Sequence, residues 1–103
     1  MKGLRILPEV VSDVTEAIRW YDEQGYAGLG ERFLAAFNAC VLDVQEHGKI
    51  HRTVYREFRK VLLKPFPYLL FYRYHGDLVI VSLVIHGARN PATTRSLLRS
   101  RES

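Results

Sequence analysis

The chain has 103 residues, of which 48% are hydrophobic and 25% are charged, a composition ordinary for one globular domain with a single core. Its uninterrupted apolar runs, such as Leu78–Val81, are far too short to cross a bilayer, and the N-terminal stretch MKGLRILPEV lacks the apolar segment of a signal peptide. One cysteine, Cys40, excludes an internal disulfide. We therefore predict one cytoplasmic domain over residues 1–103, with no membrane partner.

The charge is distributed unevenly along the chain. The formal net charge is +4, but residues 1–48 sum to −4 and residues 49–103 to +8. A half this basic indicates an anionic partner, either nucleic acid or an acidic protein segment. Solvated surface charges are the alternative interpretation.

The first half predicts a short strand and two helices. Lys2–Leu7 is a candidate strand, and Pro8 suits the first turn of a helix whose apolar residues recur at helical spacing up to Tyr21. Asp13 and Glu16 also fit a capping box, which would start that helix later, but we favour the earlier start. The second helix carries the apolar stripe Leu29, Phe33, Ala36, Phe37, Cys40, Val41 and Val44.

Glycines separate and end these helices. Gly25 and Gly28 break the chain between them, and Gly48 is well placed just past the second. The short connection makes the pair an antiparallel hairpin, which needs a sheet to bury both apolar stripes. We expect Phe33, Phe37 and Val41 to lie against that sheet.

The second half predicts strands. Val54–Leu63 has the mixed polarity of a strand near an edge, and the prolines of 64–67 predict a turn. Tyr68–Tyr74 and Leu78–Ile85 flank His75-Gly76-Asp77, which is typical of a hairpin. Both runs are apolar on both faces, so this hairpin is expected at the centre of the sheet, covered on both sides. The tail predicts a short helix over Thr94–Arg99.

The predicted order is therefore β-α-α-β-β-β, an α+β two-layer sandwich with the helical hairpin packed on a mainly antiparallel sheet. Since the helical hairpin reverses the chain twice, the first strand is expected to run antiparallel to the second and fourth strands.

Few residues indicate catalysis. The chain has no zinc-binding spacing, no glycine-rich phosphate loop and no nucleophile elbow. His47 and His51 are separated by the helix end at Gly48, which does not favour a shared metal-binding face. We therefore expect neither a metal nor a cofactor.

His86 and Arg89 stand out because they follow a central strand. Metal-free RNA cleavage needs a proton-transfer group and cations that stabilise the charged phosphorane. His86 would supply the first, and Arg59, Arg73 and Arg89 the second. Alternatively, His86 and Arg89 form hydrogen bonds at strand ends and fix the tail.

Several stretches together resemble the RelE/ParE superfamily of toxins from type II toxin–antitoxin systems, and more closely its ParE branch. They are Ala17-Ile18-Arg19-Trp20-Tyr21, Gly28-Leu29-Gly30-Glu31-Arg32-Phe33, Phe66-Pro67-Tyr68, Phe71-Tyr72-Arg73, Gly76-Asp77 and Val84-Ile85-His86-Gly87-Ala88-Arg89-Asn90-Pro91. The resemblance covers almost the whole chain and implies an antiparallel sheet packed by an N-terminal helical hairpin.

The resemblance also implies a function. RelE-like members cleave mRNA on the ribosome, whereas ParE-like members are associated with inhibition of DNA gyrase. Cleaving members commonly carry an Arg near the start of the strand matching 69–74, and often a C-terminal aromatic residue. Here that position is Leu69, and no aromatic residue follows Tyr74. Gyrase inhibition is therefore favoured over mRNA cleavage.

The resemblance further implies a cognate antitoxin with an acidic C-terminal segment, and a homodimer or a heterotetramer with that antitoxin as assemblies. The basic residues that we expect to bind the target or the antitoxin are Arg59, Lys60, Arg73, Arg89, Arg95 and Arg99. A stand-alone nucleic-acid-binding module remains an alternative, although most aromatic residues occupy core positions.

Overall fold

A computed structural model describes residues 3–102 and confirms the α+β fold. Its elements are β1 (Leu4–Ile6), α1 (Pro8–Asp22), α2 (Leu29–His47), a 3-10 turn (Gly48–Ile50), β2 (Thr53–Tyr55), β3 (Phe58–Leu62), β4 (Tyr68–His75), β5 (Leu78–His86) and α3 (Pro91–Ser100). Helix α1 begins at Pro8, as predicted. The first strand was predicted from Lys2, which lies outside the described residues.

The five strands form one sheet in the order β1-β5-β4-β3-β2. The β4–β5 hairpin lies inside the sheet, as predicted, and Gly76 adopts the positive φ of +60° in its turn. β1, however, pairs in parallel with β5, with Leu4 opposite Val79 and Ile6 opposite Val81. The prediction that the first strand runs antiparallel to the last is therefore wrong.

The turn between β2 and β3, which no sequence pattern predicted, explains this error. The predicted strand Val54–Leu63 is interrupted after Tyr55, and β2 and β3 pair antiparallel across Arg56 and Glu57. Arg56 has φ +52°, a left-handed conformation uncommon outside glycine. The additional reversal inverts the direction of every later strand relative to β1.

The main core lies between the α1–α2 hairpin and the sheet. Phe33, Phe37 and Val41 are buried there, as predicted from the stripe of the second helix. Tyr72, on the sheet side of this core, is also fully buried. Its hydroxyl donates to the Gly48 carbonyl at 2.5 Å. A Cβ on Gly48 would lie 2.5 Å from the Tyr74 hydroxyl oxygen, so this position requires glycine for space.

A second core covers the opposite face of the sheet. Helix α3 is longer than the predicted Thr94–Arg99 and buries Leu98 completely. The strand side chains packed in this cluster are Phe58, Phe71, Leu83 and Ile85. The double coverage expected for the central hairpin is thus supplied on this side by α3.

A β-bulge places the end of α3 against α1. Phe71 pairs with Leu83 and Tyr72 with Val81, which leaves Ser82 as an extra residue in β5. The Ser82 carbonyl accepts from Arg101 at 3.2 Å, and the Val84 N–H donates to Asp13 at 3.1 Å. Asp13 therefore bonds to the bulged strand and does not cap a helix.

Candidate functional site

The six cations predicted to bind a partner fall into two groups, and the first group is bonded within the chain. Arg59 donates to the carbonyls of Lys49 and His51, at 3.0 and 2.6 Å, and stacks over the Tyr74 ring. It therefore holds the 3-10 turn on the α1–α2 side of the sheet.

Two more predicted cations stabilise the end of α3. Arg73 donates to the Glu102 carbonyl at 2.6 Å, and Arg99 donates to the Tyr55 hydroxyl at 3.1 Å. The Glu102 carboxylate in turn pairs with Arg56 at 2.9 Å. These bonds join Arg99 of α3 to β2, and Glu102 after α3 to β4 and to the β2–β3 turn.

The second group comprises Lys60, Arg89 and Arg95, which with His86 line one cleft of about 220 Å³ between the sheet and α3. We call this the basic cleft. All four side chains are exposed, and no Asp or Glu lines the cleft within residues 3–102. The charged side-chain groups of the three cations make no hydrogen bond or ion pair in the described part of the chain. Their charge is therefore available to a partner.

The elements around the cleft account for this convergence. Lys60 lies on β3 opposite Phe71, on the face that α3 covers. His86 ends β5, Arg89 follows in the turn, and Arg95 lies in the first turns of α3. Asn90 caps α3 by accepting from the Ala92 N–H at 2.8 Å. The sheet end, the turn and the helix start therefore meet at the cleft.

His86 is fixed by contacts on both sides. Its Nδ1 accepts from the Ala88 N–H at 3.0 Å, so the proton of the neutral ring lies on Nε2. Its ring packs edge to face on Tyr68, with centroids 5.2 Å apart. His86 thus both orders the turn and borders the cleft.

Tyr55, which was not among the predicted site residues, also lines the basic cleft. The hydrogen bond from Arg99 lowers the pKa of its hydroxyl. Tyr55 occurs in a run of mixed polarity, and only the tertiary structure brings it near His86, so no sequence signal identified it.

The four residues proposed for RNA cleavage do not come together. Arg59 pairs with Tyr72 and Arg73 with Ile80, whereas His86 pairs with Tyr68 at the other end of β4. Tyr72 and Arg73 are four and five strand positions from Tyr68, which corresponds to about 14 and about 17 Å. Only His86 and Arg89 share a cavity.

A second cavity, of about 320 Å³, adjoins the cleft. It also contains His86 and Arg89, and adds Tyr68 and the half-exposed Trp20 of α1. Asp13 and Glu16 line it as well, so its charge is mixed.

The helical hairpin carries a separate apolar groove of about 310 Å³. Val11 and Leu34 on its surface are 60% and 42% exposed. We call it the hairpin groove; it is lined by Ile6, Val10, Val11, Val14, Thr15, Ile18, Leu34 and Phe37.

Other chemistry has little support in residues 3–102. No group of three or more His, Cys, Asp or Glu residues there is placed to hold a metal ion, and no helix there is long and apolar enough to span a membrane. Burial raises the pKa of the Cys40 thiol to about 11, which disfavours the nucleophilic thiolate.

Residues 4–91 match the family model described as "ParE toxin of type II toxin-antitoxin system, parDE". The chain belongs to the ParE toxin family. The match includes all five strands, His86 and Arg89, and ends where α3 begins. Arg95 and the bonded residues after it therefore lie outside the matched segment.

Comparison with solved structures supports the same fold. A structure described as "Chromosomal ParDE TA system from P. aeruginosa" is similar with a TM-score of 0.74, covering 84% of this chain and 96% of the other. Its sequence identity is 12%, so the similarity concerns the fold. No curated protein matches the chain by sequence.

Proposed function

We propose that this chain is a cytoplasmic toxin that inhibits DNA gyrase and is neutralised by a cognate antitoxin. The observation that carries the proposal is the family match over residues 4–91. The division of the cations supports it, because inhibition by binding needs an accessible surface and no complete set of proton-transfer groups. The basic cleft supplies that surface.

The proposed target contact centres on Lys60, Arg89 and Arg95. Unpaired exposed cations accelerate association with an acidic surface and fix its orientation. Arg59, Arg73 and Arg99, which were also expected to bind a partner, act within the fold and contribute indirectly.

The proposed antitoxin contact is the hairpin groove. Its apolar lining suits an amphipathic helix of the antitoxin, which would bury Val11 and Leu34. The acidic part of the same antitoxin segment would be attracted to the basic half of the chain.

Val11→Asp tests the antitoxin contact. Val11 is 60% exposed, so the substitution leaves the core intact while placing a charge in the groove. Leu42→Asp is the matched control, since Leu42 is 62% exposed on α2 and does not line the groove. Pull-down of a co-expressed small acidic protein from the neighbouring reading frame should fail for the first variant only. Equal retention by both variants would exclude the groove as the docking site.

Purified gyrase tests the target. We expect the chain to inhibit DNA supercoiling in proportion to its concentration, and the antitoxin to restore activity. Ribosome-bound mRNA in a parallel reaction should remain intact. Uninhibited gyrase at saturating toxin would refute this function.

The second candidate function is ribosome-dependent mRNA cleavage. It is favoured by one observation: His86 and Tyr55, both able to transfer protons, line the same cleft as three cations. It predicts mRNA cuts that disappear in folded His86→Ala and Tyr55→Phe variants. Gyrase inhibition predicts no cuts, and a His86→Ala protein that inhibits gyrase as the original chain does.

A further inference from the structure

We infer that the basic cleft binds the phosphodiester backbone of DNA. This rests on the proposed function and extends it, because the toxin would then contact the DNA held by gyrase as well as the enzyme. The inference concerns the cleft residues Lys60, Arg89 and Arg95.

Most arginines of the basic half form bonds within the chain. Five arginines of the basic half, Arg56, Arg59, Arg73, Arg99 and Arg101, are bonded to carbonyls, carboxylates or a hydroxyl of the same chain. The three cleft cations have no such bonds among residues 3–102, and no carboxylate shares their cleft. Like charges placed together repel, and a bound anion would offset that repulsion.

The three side chains come from β3, the turn after β5 and α3, so they surround the cleft. The N-terminus of α3 also lies at the cleft, where the helix dipole adds a partial positive charge. The first turn of α3 carries no acidic residue that would offset this charge. Helix starts and arginines together are common phosphate ligands on DNA-binding surfaces.

The cationic side chains are also accessible from outside the cleft. Lys60, Arg89 and Arg95 are all exposed, so they can contact phosphates that follow the rim of the cleft.

The test is binding of the whole chain to a short fluorescently labelled DNA duplex, followed by anisotropy at several salt concentrations. Three phosphate contacts predict that log K falls against log salt with a slope of about −2.7. The double variant Lys60→Gln/Arg95→Gln should reduce the slope to about −0.9 and weaken binding at ~0.1 M salt roughly 50-fold.

The matched control is Lys64→Gln/Arg52→Gln. It removes the same two charge types from exposed positions that do not line the cleft. Its affinity and salt slope should stay close to those of the original chain. Because none of the four side chains makes a hydrogen bond or ion pair within residues 3–102, both proteins should fold, which thermal unfolding would verify.

Several results would overturn the inference: no binding of DNA, equal weakening in the two double variants, or tighter binding of an acidic peptide or of RNA than of the duplex. These results are distinguishable from failure of the proposed function. Gyrase inhibition without DNA binding would refute only the cleft inference, and DNA binding without gyrase inhibition would refute only the proposed function.

Discussion

The two ends of α3 use the same residue types for different purposes. At its C-terminal end, Arg99, Arg101 and Glu102 are bonded to β2, α1 and β4. At its N-terminal end, the side chains of Arg89 and Arg95 form no hydrogen bond or ion pair within residues 3–102. The net charge of a segment therefore does not reveal which of its cations are available to a partner.

Burial accounts for the bonding of Arg101. The side chains of Asp13 and Arg101 are 15% and 11% exposed and form two hydrogen bonds, at 2.6 and 3.2 Å. Charges removed from water this far persist only when each is paired and bonded. The N-terminal cations are exposed and hydrated, so the fold does not require a partner for them.

The largest expected effect is on the buried pair. Arg101→Ala leaves Asp13 charged and unpaired beside the Ser82 bulge, and should lower the free energy of unfolding by about 3–5 kcal/mol. Arg95→Ala, an arginine at the other end of α3, should change it by less than about 0.5 kcal/mol. Urea unfolding of both proteins measures this contrast. Equal losses would show that the two ends do not differ in structural role.

The next effect concerns what holds α3 on the sheet. Leu98 is fully buried against the second core, and Leu98→Ala should cost about 2–5 kcal/mol. Leu97, which is partly buried, is the control and should cost less when replaced by alanine. Urea unfolding would again provide the values. A larger loss at Leu97 would contradict the placement of α3.

On the sheet face opposite α3, Tyr72 should make the stability depend on pH. Burial raises the pKa of Tyr72 to about 12. The unfolded chain ionises this phenol near pH 10, so stability should be full below that pH and fall as pH rises from 10 to 12, by on the order of 1–2 kcal/mol.

Tyr72→Phe is the control for that titration. It should be less stable at pH 7, because the Gly48 carbonyl loses its hydrogen bond, but should lose less stability between pH 10 and 12. Unfolding measured across this pH range gives both values. An unchanged pH dependence would assign the alkaline loss to other groups.

The smallest effect is expected at Glu102. Glu102→Gln removes a pair whose side chains are 50% and 35% exposed, so its cost should stay below about 1 kcal/mol. Added salt should further reduce the difference from the original chain. A cost comparable to that of Arg101→Ala would mean that exposure does not separate these ion pairs.

Local patterns predicted much of the fold. The helical stripe through Phe33, Phe37 and Val41, Pro8 at a helix start and Gly76 in the hairpin all reflect short-range rules, and all agree with the structure. The reversal at Arg56 could not be predicted, because no glycine, proline or asparagine marks it. One missed turn was enough to invert the direction of the first strand relative to the last.

The candidate site was predicted only in part. The sequence identified every cation of the basic cleft, but it could not separate Lys60, Arg89 and Arg95 from arginines that bond within the fold. That separation depends on contacts between distant residues, such as Arg101 with Asp13 and Arg73 with Glu102. Tyr55 was not predicted as a site residue because its place in the cleft likewise depends on such distant contacts.

The most direct test of the account is gyrase supercoiling measured with the original chain, Lys60→Gln/Arg95→Gln and Lys64→Gln/Arg52→Gln at equal folded concentration. We expect the cleft variant to need about tenfold or more protein for the same inhibition, equivalent to losing about 1.4 kcal/mol of binding free energy. The control should inhibit as the original chain does. Equal inhibition by all three proteins would contradict the claim that the unbonded cations of the basic cleft carry the function.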